Sequence, residues 1–221
     1  KFLVEDGEMP AGSPMANMKP PSVKQKLIPV VPEESFEKLL AACRGNTFEN
    51  RRDTALITFM YESGCRVGEI VGMGVGDYDP ATRRVKVTGK GDRDRYVGVG
   101  KEATGAFRRY LRFRQQQDQA KFTDAFWIGR KGALTVSGIA QILDPRCAHA
   151  GVTHIHPHQF RHTFANNWLA DGGNETDLML AAGWLSRDMP GRYGKSVAAE
   201  RAVEAHRQLS AVDRLAAKRR R

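Results

Sequence analysis

His158 and Arg161 stand three residues apart in Pro157-His158-Gln159-Phe160-Arg161-His162, a spacing that puts both on one face of a helix. An imidazole beside a guanidinium is poorly explained by packing. It suits a site where one group moves a proton and the other holds an anion. A helix-start histidine next to a salt-bridged arginine accounts for the pattern equally well. Phe160 and Phe164 share another face that can be buried. Four further positions carry chemistry only in combination. Arg66, in Gly64-Cys65-Arg66-Val67-Gly68-Glu69-Ile70, reads alone as a surface arginine pairing with Glu69. Lys90 reads as a solvated lysine at a hairpin tip, keeping a strand edge from aggregating. Trp184 reads as a core or interface aromatic, and Tyr193, between Arg192 and Gly194, as a surface tyrosine. His154, His156, His158 and His162 invite a metal reading, but the His-Glu-x-x-His pattern and paired cysteines are missing. No metal ligand is assigned.

The elements that must position these groups follow from periodicity. A helix is predicted over 158–171, carrying His158 and Arg161. Another covers about Arg52–Ser63, with Ala55, Leu56, Phe59 and Met60 on one stripe and Gly64 as its stop; a short helical turn follows Arg66. The period then changes to two. Arg84–Thr88 and Arg95–Val99 alternate like strands, and Gly89-Lys90-Gly91-Asp92 between them reads as a turn. A first helix begins near Pro32-Glu33-Glu34 and turns Phe36, Leu39 and Leu40 inward. Further helices are expected over about 101–117, 135–149, 175–182 and 198–214. The predicted fold is mainly α with a small antiparallel β-sheet, an α+β arrangement.

Composition bounds the partners. The 221 residues hold 35 Lys plus Arg against 25 Asp plus Glu, a net charge of +10. With a pI near 9.8, a polyanion is the default partner, nucleic acid ahead of anionic membrane. The excess is uneven: residues 1–50 carry 6 basic and 7 acidic groups, residues 51–221 carry 29 and 18. No apolar run approaches the roughly 18 residues of a membrane helix. No signal peptide is read at the N-terminus. Three widely spaced cysteines, Cys43, Cys65 and Cys147, argue against a disulfide framework and for a reducing cytoplasm.

Taken together and in order, these residues resemble the catalytic domain of the tyrosine recombinase family, the phage integrases and their relatives. Gly64-Cys65-Arg66-Val67-Gly68-Glu69-Ile70 is similar to its first arginine box, and Thr88-Gly89-Lys90-Gly91-Asp92-Arg93-Asp94-Arg95 to its hairpin lysine box. Pro157-His158-Gln159-Phe160-Arg161-His162-Thr163-Phe164-Ala165 matches the second arginine box. Gly183-Trp184, with Tyr193 nine residues beyond the tryptophan, matches the last. The main departure is Trp184, where most members carry histidine. The resemblance covers about Leu27 to Leu215. It divides the chain into a leader (1–25), a catalytic domain (26–215) and a basic tail (216–221), with further domains expected upstream.

The resemblance implies a site-specific DNA recombinase that cuts and rejoins strands through a 3′-phosphotyrosine, needing no cofactor and no obligatory metal. Tyr193 is then the nucleophile, His158 its proton acceptor, Arg66 and Arg161 the donors to the phosphate, and Lys90 the general acid. Trp184 supports the transition state by an indole N–H or by packing, and Glu69 orients Arg66 or its neighbours. DNA contacts are expected from Arg93, Arg95, Arg108, Arg109, Arg112 and Arg114. The partner implied is double-stranded DNA at recombination sites, with four protomers assembled on it and a monomer in its absence. The helix over 198–214 is expected to pack on a neighbour or in cis. Two other readings stay open: type IB topoisomerase-like relaxation, and a non-catalytic DNA-binding relative.

Overall fold

Helix caps set most of the element boundaries. In this computed structural model, residues 29–89 and 91–186 are described, together with 202, 203, 206, 207, 210 and 212. The expected leader, Lys90, Tyr193, the basic tail and most of the 198–214 helix lie outside the described residues. Of that helix, residues 202, 203, 206, 207 and 212 are helical, with Val203 and Val212 exposed.

Helix α1 (Glu33–Ala42) opens with Glu33 and Glu34 in its first turn, where negative charge meets the positive end of the helix dipole. Helix α2 (Phe48–Ser63) begins a turn earlier than its apolar stripe predicts. There the Thr47 hydroxyl accepts a hydrogen bond from the Asn50 backbone N–H, a cap independent of hydrophobic spacing. It ends at Gly64 with φ +58. A Cβ there would overlap the Phe164 ring, so this glycine answers both to a backbone and to a packing demand. Next come α3 (Val67–Val71), β1 (Tyr78–Asp79), β2 (Arg84–Gly89), β3 (Arg93–Gly98) and α4 (Lys101–Arg114). The chain continues through β4 (Ile128–Gly129), β5 (Gly132–Ala133), α5 (Val136–Ala150), α6 (Pro157–Ala170) and α7 (Glu175–Ala182).

The fold is mainly α with small antiparallel sheets, as expected. β2 and β3 pair antiparallel from Arg84↔Gly98 to Gly89↔Arg93, and β1 adds a two-residue edge. β1 and the β4–β5 hairpin are too short to show alternation in sequence, and both were missed. Helix α2 packs along α4 and against α6, while α1 packs on α5. Phe59, Phe107, Tyr110, Phe126 and Trp127 are fully buried at the centre. The Tyr110 hydroxyl donates to Phe126 O (2.8 Å) and accepts from Ile128 N (3.0 Å), satisfying the phenol inside the core. A second cluster, Ala165, Leu169, Leu178, Ala182 and Trp184, joins α6 to α7.

Arg114 corrects an expectation. It is buried, donating to Thr123 O (2.7 Å) and Ala125 O (2.8 Å). It therefore ties the loop after α4 to its own helix and is not available to DNA. Another buried charge network holds α2 to α5. Asp53 accepts from Arg52 Nε (2.8 Å) and Arg146 Nε (2.9 Å), while Arg146 also donates to Ala42 O and Asn50 Oδ1. Removing the carboxylate from such a group strands two guanidinium charges. Asp53→Ala is expected to cost about 3–5 kcal/mol of stability, read as a lower midpoint in urea denaturation.

Candidate active site

The site is built where four helix ends and one hairpin converge. Arg66 occupies the N-cap of α3, just past the left-handed turn at Gly64. Its backbone N–H donates to Glu69 Oε2 (2.7 Å) and its Nη1 to Glu69 Oε1 (2.9 Å). Its side chain is 43% exposed, against 3% for Glu69. Arg66 Nη2 also reaches Gly183 O at 3.5 Å. The sequence pairing of Arg66 with Glu69 is thus present, but it anchors an arginine at the lip of a cleft.

Arg161 lies deeper. It is 2% exposed, donating from Nη1 to Gly64 O (2.7 Å) and from Nη2 to Ala182 O (2.7 Å). Those carbonyls belong to the C-terminal ends of α2 and α7, where the helix dipoles are negative. The guanidinium carbon lies 5.3 Å from the Trp184 ring centroid, within cation–π range. Trp184, 5% exposed, therefore backs Arg161. Its partners include Arg161 and the α6–α7 cluster.

One turn before Arg161, His158 sits in the first turn of α6. Burial, then the positive charges of Arg161 and Arg66, hold its pKa below the ordinary imidazole range. At neutral pH the ring is uncharged and able to accept a proton. Its neighbour His162 packs edge-on, ring centroids 4.7 Å apart. Burial, then His158 and Arg161, push His162 down to about 4. Sequence reasoning gave His162 no part beyond a dismissed metal cluster; its spacing of four from His158 was the available signal. Helix α6 is itself pinned through Thr163, whose hydroxyl accepts from Val31 N (2.8 Å) and donates to Gln159 O (2.8 Å).

Arg66, Glu69, His158 and Arg161 line one open cleft of about 410 Å³, with Thr88 and Gly89 of the hairpin on its other wall. Four sequence candidates are thereby brought together. Gly89 and Gly91 bracket Lys90, and Gly91 and Asp92 both take positive φ (79° and 56°) in the tight turn. Lys90 and Tyr193 lie outside the described residues. Of the expected DNA contacts, Arg93, Arg108 and Arg112 are exposed and Arg109 is partly so.

Arg95 departs from that group. Its side chain is 13% exposed, with Nη1 and Nη2 each 2.8 Å from a Glu69 oxygen and Nε 2.9 Å from Ala181 O. A guanidinium so committed has no fork left for a phosphate. Sequence alternation held the clue: Arg95 and the buried Val97 are two apart on β3, hence on one face. Burial raises the Glu69 pKa, but hydrogen bonds from Arg95 and from the Arg66 backbone outweigh it, leaving the carboxyl below its usual range. Among the described residues, no group of three or more His, Cys, Asp or Glu is placed to hold a metal ion. Nor is any described helix long and apolar enough to cross a membrane.

Comparisons with known proteins give the family and the fold. The phage integrase family model matches residues 29–200. Tyrosine recombinase XerC of Corynebacterium efficiens is 32% identical over 200 residues, covering 90% of this chain and 64% of the relative. Tyrosine recombinase XerD of Neisseria meningitidis serogroup A is 32% identical over 162 residues, covering 72% and 56%. The chain therefore spans under two thirds of the length of these relatives. Among solved structures, XerA recombinase superposes with a TM-score of 0.70 at 24% identity, covering 87% of this chain and 67% of that one. The Tn1549 transposon integrase in complex with transposon right end DNA gives 0.71 at 17% identity, covering 95% and 76%. At such identities these structures bear on the fold.

The histidine pair makes stability depend on pH. His162 titrates at about 4 in the fold against an ordinary value of 6.5, so the unfolded chain binds its proton first. The stability carried by the neutral ring is complete above pH 6.5 and lost as pH falls towards 4. Urea midpoints at pH 7 and pH 5 are expected to differ less in His162→Gln than in the unsubstituted protein.

Proposed function

This chain belongs to the phage integrase family, and we propose that it is the catalytic domain of a site-specific DNA recombinase working through a 3′-phosphotyrosine link. The observation that carries this reading is the cleft: two guanidinium groups held by backbone carbonyls and a carboxylate, beside an uncharged imidazole, under a hairpin that bears a lysine.

Each residue type suits its step. Tyr193 Oη attacks the phosphorus, and a phenol with an ordinary pKa near 10 must lose its proton as it does so. His158, kept neutral by burial and two arginines, takes that proton. Negative charge grows on the nonbridging oxygens, and Arg66 and Arg161 donate to them. They supply the charge stabilisation that metal ions give in other phosphoryl transfers. The bond from phosphorus to the 5′ oxygen breaks, its electron pair leaves with the oxygen, and Lys90 protonates that oxygen. Attack by a second 5′-hydroxyl reverses the steps and reseals the strand. Trp184 holds Arg161 in place through its ring, and Glu69 orients Arg66.

The substrate is double-stranded DNA, with Arg93, Arg108, Arg109 and Arg112 as phosphate contacts that weaken steeply with salt. We read the working unit as four protomers on paired sites in the cytoplasm, with residues 26–215 as the catalytic domain. The recombinases and integrases named above support strand exchange over topoisomerase-like relaxation.

Two experiments test the chemistry. In EDTA, nicked duplexes of randomised sequence are incubated with the protein and covalent adducts are recovered and sequenced, which also identifies the preferred site. Tyr193→Phe is expected to form no adduct while retaining DNA binding in gel shifts; a persistent adduct defeats the nucleophile assignment. Lys90→Ala is expected to slow cleavage roughly 10²–10⁴-fold. Replacing the 5′-bridging oxygen with sulfur should restore it, because a thiolate leaves without a proton.

A further inference from the structure

Arg95 turns inward from β3, and its planar fork is where three elements meet. Nη1 and Nη2 donate to Oε1 and Oε2 of Glu69 in α3, each at 2.8 Å, and Nε donates to Ala181 O at the end of α7 (2.9 Å). The other hairpin strand, β2, is seated on the same spot. A Cβ on Gly89 would lie 3.3 Å from Glu69 Oε1 and 3.9 Å from Arg95 Nη1. Gly89 immediately precedes Lys90 and pairs with Arg93 across the turn. On the far side a Cβ on Gly183, whose φ is +64, would lie 3.0 Å from Arg95 Nη1. The near end of the hairpin is therefore wedged against an ion pair whose other side touches the turn before Trp184.

We propose that Arg95 is a positioning residue that seats the β2–β3 hairpin against the Arg66–Arg161 cleft and so sets where Lys90 meets the departing 5′ oxygen. The inference rests on the recombinase reading above. Losing Arg95 leaves Glu69 its hydrogen bonds from Arg66 N and Arg66 Nη1, so the α3 cap and the phosphate-binding arginine keep their carboxylate. What is lost is the tie between hairpin, α3 and α7. The defect then falls on proton delivery, in which Lys90 Nζ gives its proton to the 5′ oxygen as the phosphorus–oxygen bond breaks. Arg66 and Arg161, the donors to the phosphate, keep their own anchors.

The test compares adduct formation on the duplex recovered above with that on the same duplex carrying a 5′-bridging sulfur. Arg95→Met is expected to slow cleavage of ordinary DNA on the order of 10²-fold, the cost of a misplaced catalytic group. On the sulfur substrate it should return to within a few-fold of the unsubstituted protein, as Lys90→Ala should. Rescue of Lys90→Ala without rescue of Arg95→Met overturns the inference and leaves the general-acid reading standing. No rescue of Lys90→Ala overturns that reading and the inference with it. Should Arg95→Met fail to fold, Arg95→Lys keeps a charge facing Glu69 but cannot span both its oxygens and Ala181 O. A smaller defect, again erased by sulfur, is expected; a defect in the folded Lys variant that sulfur leaves unchanged overturns the inference.

Discussion

The site depends on one buried carboxylate. Glu69 accepts hydrogen bonds from the Arg66 backbone, the Arg66 side chain and both terminal nitrogens of Arg95. A carboxylate taken out of water without partners would carry a heavy desolvation cost, and these donors offset it. The same bonds do geometric work. They cap α3, fix the arginine at the cleft lip and bind the sheet to the helical body. Because Glu69 lies 3% exposed beneath Arg66, its negative charge is spent inside the wall.

Helix ends supply the second half of the construction. Gly64 and Gly183 each end a helix in the left-handed conformation, which turns the chain sharply and leaves the neighbouring carbonyls pointing at one place. Arg161 reaches that place from α6 and joins Gly64 O to Ala182 O. Packing reinforces the arrangement, since Phe164 fills the space beside Gly64 and the Arg95 fork fills the space beside Gly183. Gly64, which reads from sequence as a helix stop, and Gly183 are thus also contact points beside the groups that carry charge.

Much of this is legible in the sequence. Apolar stripes and caps marked the helices, and alternation marked β2 and β3. The spacing of His158 and Arg161 placed both on one helical face. What was hidden has physical reasons. β1, β4 and β5 are two residues long, too short for a period to register. The start of α2 is set by a threonine hydroxyl and not by apolar spacing. Arginine type does not reveal whether its charge meets water, a carboxylate or a carbonyl. Arg95 and Arg114 were therefore grouped with exposed basic residues, although β3 alternation already turned Arg95 inward. Trp184 was legible as a packing aromatic, but its contact with Arg161 joins residues 23 positions apart and no local pattern shows it.

The partners of the arginines decide how much charge the cleft keeps. Arg95 and Arg66 share one carboxylate, so their pairing with Glu69 cancels one of two positive charges. Carbonyl dipoles and an aromatic face hold Arg161, and these contacts orient the guanidinium without adding a negative charge. Among the described residues, Arg66 and Arg95 share the one Glu69 carboxylate, which leaves the wall positive in a recess where water screens poorly. Burial, and then the positive charges of Arg161 and Arg66, keeps His158 uncharged. The arginine charges therefore serve two ends: they leave the cleft attractive to a phosphate, and they add to burial in holding the nearby imidazole in the form that accepts a proton. A second carboxylate in place of either carbonyl would anchor Arg161 more strongly and undo both.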